Sequence, residues 1–157
     1  DILLNVAAVL RRLDMDQVDE AEWDRLMNVN LRSQYFLCRA AGEVADLVFV
    51  TVHWGVELDT QPRADDVARA HALIDAGADG VFGHHAHRLQ PLGSYRGRPI
   101  AWGLGNFVWP SLSDAGSRSA VAEFVVTPDG AVNGCLLPVR ITSPGHPELI
   151  GARSCGG

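Results

Sequence analysis

Four histidines stand at two places in the chain. His53 closes the apolar run ADLVFVTVH, and His84, His85 and His87 crowd the short stretch GHHAH. Imidazole is a favoured ligand for divalent transition metals, and His-x-His on an extended segment puts two rings on one side. The spacing therefore predicts that His85 and His87 act together, with His53 joining them from a neighbouring strand. The blander reading is a polar loop holding histidines by chance. The cluster alone fixes neither the metal nor the reaction.

Other polar residues lie within reach in sequence. Glu57 and Asp59 follow His53 closely, and a carboxylate there can orient a metal-bound imidazole or act on a water. From spacing alone, a solvated loop acid explains them better. Asn106 sits in the Gly-rich turn Gly103-Leu104-Gly105-Asn106-Phe107, where ligand binding and turn formation explain it equally well. His71 falls mid-helix and reads as structural. No nucleophile elbow, P-loop or GxGxxG is present. Ser94 and Ser111 lack a Gly-x-Ser-x-Gly context, and Tyr95 is followed four residues on by Pro99 rather than Lys.

The elements that must carry these residues read as α/β. Residues 1–6 form a strand-like apolar run. Residues 20–41 show helical spacing through Trp23, Leu26, Met27, Asn30, Leu31, Tyr35 and Cys38. Residues 45–52 are a continuous apolar run, as expected of a buried strand. A helix is predicted from Pro62 to about Ala76, and a short strand at 81–82. Strand–loop–helix alternation implies a short, mostly parallel sheet with flanking helices. In such sheets ligands bind outside the carboxyl ends of the strands, where His53 and His84–His87 fall. After residue 90 the pattern changes to antiparallel hairpins, 92–96 with 98–103 and 121–127 with 132–141, the latter around Pro128-Asp129-Gly130. Residues 143–157 are Gly/Pro-rich and read as a frayed tail.

Composition narrows the classes. With 157 residues and 47% hydrophobic content the chain can bury a core without staples. The net charge of −6, with no basic cluster, argues against a nucleic-acid partner. No apolar run of about 18 residues suggests a membrane span, and no signal-peptide pattern is visible. Cys38, Cys135 and Cys155 are widely spaced. They are expected to be idle thiols, neither a metal knuckle nor a disulfide framework.

Two resemblances extend this reading. The segments ADLVFVTVHWGVE (45–57), LIDAGADGVFGHHAHRLQP (73–91) and GRPIAWGLGNFVW (97–109) resemble the poly-gamma-glutamate capsule synthesis (CapA-type) family of the calcineurin-like metallophosphoesterases, over about residues 44–142. Ala86 stands where that family commonly has Pro. The resemblance implies an incomplete metallophosphoesterase-like sandwich. It makes His53, His85 and His87 metal ligands for one divalent ion at most (Mn, Zn or Fe), Glu57 or His84 a proton carrier, and Asn106 a ligand-binding residue. It also implies a phosphate or poly-glutamate-type ligand, a role in capsule biosynthesis and the bacterial cell envelope as location. The superfamily's first metal ligands come from an N-terminal half without counterpart in residues 1–43, so little or no hydrolase activity is expected.

Residues 1–41 resemble the short-chain dehydrogenase/reductase family instead. DILLNVAAV is similar to its DILVNNAGI strand, and EAEWDRLMNVNLRSQYFLCRAA to the helix that follows, with Asn30 at the family's active-site Asn. The family's nucleotide loop and Tyr-x-x-x-Lys are absent, which leaves Asn30 a helix-face amide. The chain thus reads as three parts: 1–43 dehydrogenase-like, 44–142 CapA-like and 143–157 tail. Two half-folds leave open sheet edges, through which a homo-oligomer is expected.

Overall fold

A computed structural model describes residues 9–109, 113–151 and 155. The strand expected at 1–6, and Ser111, lie outside the described residues. The chain divides into two compact units, 1–46 and 47–157.

The first unit is helical. A single 3-10 turn, Met15–Gln17, precedes helix α1 (Glu20–Met27), and a wide turn over Asn28–Arg32 leads into helix α2 (Ser33–Gly42). Asp19 caps α1, its carboxylate accepting from the Glu22 backbone N–H at 2.8 Å. Glu22 is buried and held by Arg25 at 2.7 Å and Arg11 at 3.5 Å. The helical spacing expected over 20–41 is present, interrupted by the wide turn. Most of its apolar stripe is not buried: Leu26 is half-buried, but Trp23, Met27, Leu31 and Tyr35 are all exposed. Asn30 has a structural task, accepting from Val9 N–H and donating to Val9 C=O, each at 2.7 Å.

The second unit carries the histidines. Strand β1 (Phe49–His53) pairs in parallel with β2 (Gly80–His84), and β2 with β4 (Arg98–Ala101). Strand β3 (Leu92–Tyr95) pairs antiparallel with β4, giving the order β1-β2-β4-β3. The expected first hairpin is therefore present, and its second strand joins the parallel sheet. Helix α3 (Ala64–Asp75) connects β1 to β2. Asp66 starts it, its buried carboxylate accepting from Arg63 N–H at 3.1 Å. Ala70 and Ile74 of α3 then pack with Trp54, Val81, Ile100 and Trp102 into the core. Apolar residues return to one face of α3 every third or fourth position, which is why this helix seats on the sheet.

A second sheet is antiparallel: β5 (Arg118–Val126), β6 (Val132–Ser143) and β7 (His146–Leu149), in that order. It meets the first sheet through Phe124, whose ring stacks on Phe82 at 4.1 Å. Gly80 makes this contact feasible, because a Cβ there would lie 2.7 Å from the Phe124 ring.

Two expectations about the C-terminal end fail. Residues 146–149, read as frayed tail, form β7 against β6. Gly145, with φ +76°, closes the tight turn between them. Cys135 and Cys155, read as idle thiols, form a disulfide with Cα atoms 5.7 Å apart. The pairing of Leu149 with Val139 and the Ile150 N–H bond to Pro138 carry the chain along β6 towards Cys135. The composition that reads as a frayed tail hid this proximity, because it hid β7. Cys38 is exposed and outside the disulfide.

Candidate metal centre

Parallel pairing of β1 and β2 ends with His53 directly opposite His84. From there the β2 segment turns through His85-Ala86-His87. His85 (φ +97°) and His87 (φ +53°) both adopt the left-handed region, uncommon for residues other than glycine. This kink swings the rings to the strand ends. The His53 and His85 ring centres are 4.5 Å apart, and those of His85 and His87 are 6.3 Å apart.

His87 is the most firmly oriented of the three. Its Nδ1 lies 2.6 Å from Oδ1 of Asn106, whose own NH2 donates to the Gly116 carbonyl at 2.9 Å. Because Asn106 spends its donor on Gly116, its oxygen faces His87 as an acceptor. Nδ1 is then the donor, and in the neutral ring this tautomer places the lone pair on Nε2. Asn106 is buried, so this orientation is protected from water. Trp109 lies 4.8 Å from the same imidazole, centre to centre.

His84 is employed differently. Its Nε2 is 2.8 Å from the Thr51 hydroxyl, on the face shared with His53. Partial burial of the ring, reinforced by the neighbouring His53, holds its pKa below the usual imidazole value. The neutral form is favoured there.

Glu57 is exposed and has no hydrogen-bond or ion-pair partner among the described residues. Its neighbour Leu58 donates from N–H to the Ala86 carbonyl at 2.7 Å, which fastens the Glu57 loop to the histidine turn. Gln90, buried, donates from its amide to the carbonyls of Asp59 (2.9 Å) and Gln61 (3.3 Å) and holds the same loop from below. Sequence reasoning missed Gln90, because a buried amide that binds only main chain leaves no spacing signal. Asp59 is committed to Arg63 at 2.6 Å. His71 stacks on Tyr95 at 3.8 Å, away from the other histidines.

The donor types suit a divalent ion: three imidazoles, one with its tautomer set. The nitrogens of His53, His85 and His87 do not all lie within 4.8 Å of one another. Among the described residues the one trio of candidate ligands that meets that limit is Glu123, Cys135 and Cys155. With metal–nitrogen bonds of about 2.0–2.1 Å, a shared ion would require the rings to turn inwards.

Comparison with known proteins places this chain in a family. The family described as bacterial capsule synthesis protein PGA_cap matches residues 14–111, a span that holds every one of these histidines and Asn106. The match begins within the segment likened above to dehydrogenases. The capsule biosynthesis protein CapA of Bacillus anthracis is 38% identical over 106 residues, covering 68% of this chain and 26% of that protein. The PGA biosynthesis protein CapA of Bacillus subtilis is 39% identical over 116 residues, covering 68% and 30%. The chain thus spans less than a third of the length of these relatives. A 43-residue stretch, 27% of the chain, is 42% identical to 17% of the Escherichia coli 2-dehydro-3-deoxy-D-gluconate 5-dehydrogenase. The capsule match covers well over half of the chain and includes the histidine turn, and the chain belongs to the PGA_cap family of bacterial capsule synthesis proteins.

Proposed function

We propose that this chain is a partial CapA-type domain of metallophosphoesterase ancestry, serving poly-gamma-glutamate capsule formation, and that it holds one divalent ion on His53, His85 and His87. The observation that carries this reading is the gathering of those three histidines at the carboxyl ends of two paired parallel strands, with His87 oriented by Asn106. The names of the capsule relatives support the process. A bound ion with an open position would lower the pKa of a water. The chain's own residues then have limited work. His87 presents Nε2, neutral His84 and Glu57 are the groups available to carry a proton, and Asn106 is the residue next to which a phosphate or poly-glutamate-type ligand would lie.

Little or no hydrolase activity is expected of this chain alone. A two-metal clamp stabilises both attacking and leaving oxygens through bridging ligands. Among the described residues no carboxylate is in contact with the three histidines, and Asp59 is neutralised by Arg63. The reading treats 1–43 and 44–142 as separate parts, with β7 joined to the second by its pairing with β6, and takes the cell envelope as location and β1, a sheet edge, as a surface for self-association. No described helix is long and apolar enough to cross a membrane.

Metal stoichiometry tests the proposal. The purified chain is stripped, reloaded with Mn²⁺ or Zn²⁺, and compared with a His85→Ala/His87→Ala variant. One ion per chain, lost in the variant, is the expected result. A folded chain that binds no metal would refute the reading.

The short dehydrogenase match supports a second reading, in which residues 1–41 descend from an NAD(P)-dependent oxidoreductase. Asn30 is occupied by Val9 rather than by a cofactor-facing partner. A fluorescence titration with NADH decides it: saturable micromolar binding would support that descent in function as well as in sequence.

A further inference from the structure

The trio Glu123, Cys135 and Cys155 lies on the antiparallel sheet and belongs to none of the chemistry above. Glu123 is paired directly across from Cys135 in the β5–β6 register. The chain beyond β7 delivers Cys155 to the same spot, where its N–H donates to Glu123 Oε2 at 2.8 Å. The candidate ligand atoms of all three residues lie within 4.8 Å of one another, and all three side chains are half-buried. Glu123 has no ion-pair partner among the described residues, although most other partly buried carboxylates of this chain, such as Glu22, Asp66 and Asp79, have an arginine. A half-buried carboxylate beside two sulfurs, with no cation to neutralise it, is a set of groups that a divalent ion would complete.

The geometry points to a redox-gated cation site: in the reduced chain, Cys135, Cys155 and Glu123 bind a thiophilic divalent ion such as Zn²⁺, and the disulfide is the oxidised, metal-free state of the same site. Soft thiolates select zinc-like ions over the magnesium and calcium class, and three protein ligands leave a fourth tetrahedral position for water. The chemistry balances. A phosphine reductant with one water delivers two electrons to the disulfide and becomes the phosphine oxide, leaving two thiols. The ion then displaces the two thiol protons to solvent as two metal–sulfur bonds form. Oxidation by a disulfide reagent releases the ion and closes the sulfur–sulfur bond again. Because Cys155 follows β7, the site would fasten the end of the chain to β6 in either state.

Cobalt separates this site from the histidines, since thiolate ligation gives a near-ultraviolet charge-transfer band that imidazole ligation does not. The full chain is reduced with a phosphine under argon and titrated with Co²⁺ alone, with far-ultraviolet circular dichroism followed in parallel. The expected result is a charge-transfer band that saturates at one equivalent and is erased by Zn²⁺. It should be absent from the oxidised chain, retained in His85→Ala/His87→Ala and lost in Cys155→Ser. Glu123→Gln should weaken binding at least about tenfold. A reduced, folded chain without the band would overturn the proposal, as would a band that requires His85 and His87, or unchanged affinity in Glu123→Gln. If reduction unfolds the chain, cobalt must restore the native dichroism together with the band, and binding without refolding would overturn it too. The histidine reading stands or falls separately, on metal retained by the oxidised chain.

Discussion

Asn106 and His87 are nineteen residues apart and joined by a 2.6 Å hydrogen bond from Nδ1 to the carboxamide oxygen. The Gly116 carbonyl fixes which end of the amide faces the ring. One asparagine therefore sets both the tautomer and the orientation of the His87 imidazole.

Replacing Asn106 by Ala should weaken metal binding by about 10–100-fold, the range that follows from losing an outer partner of a ligating histidine. Asn106→Asp can still accept from Nδ1 but cannot donate to Gly116, so it should bind better than Asn106→Ala. Chelator competition measures both. Equal affinity of wild type and Asn106→Ala would show that His87 needs no orienting partner.

Gly83 is the second point of leverage. A Cβ at this position would collide with the Trp102 carbonyl and the Trp54 indole nitrogen, which are themselves hydrogen bonded at 3.1 Å. Backbone cannot yield as a side-chain end can. Gly83→Ala should therefore cost about 3 kcal/mol, at the upper end of ordinary overpacking. A Cβ at Gly42, at the end of α2, would meet nothing within 4 Å, so Ala should be tolerated there. Urea unfolding followed by tryptophan fluorescence compares the two, and an equal midpoint shift would remove the steric argument.

Much of this arrangement is legible in the sequence, and the exceptions share a cause. The runs ending at His53 and His84 read as strands because continuous apolar stretches bounded by polar turns have few other uses. Their parallel pairing then brings the histidines together. The role of Asn106 towards His87 is not legible, because the turn reading of Gly103–Phe107 accounts for the same residues. The helical spacing of 20–41 does predict helices. It does not predict that Trp23 and Tyr35 stay exposed, since amphipathicity states that a face is apolar but not that a partner is present. Cys135 and Cys155 escape for a related reason. Their meeting depends on β7, four residues between a Pro-Gly turn and a Gly-rich end, where composition argues for fraying.

The disulfide closes a loop of 20 residues in sequence separation. Loop-closure entropy then assigns it about 3 kcal/mol of stability. Cys135→Ser/Cys155→Ser should show that loss in urea unfolding, without a change in the far-ultraviolet dichroism of the folded state. An unchanged midpoint would mean that β7 stays on β6 by its hydrogen bonds alone.

Asp114 gives a pH dependence whose sign is fixed by its partners. Its carboxylate receives Arg140 and Arg118, each at 2.6 Å, and these bonds, led by that from Arg140, hold its pKa below the usual carboxylate value. A depressed folded-state pKa stabilises the fold above the unfolded value of about 3.9, and this contribution is lost as pH falls through the folded value. Asp114→Asn should therefore melt below wild type at neutral pH, with the gap closing at pH below about 4. The carboxylate is exposed, so the gap should be small and should also narrow in high salt. Melting temperatures of both proteins across this range provide the measurement. A gap that persists in acid would assign the effect of the substitution to packing at the start of β5 rather than to charge.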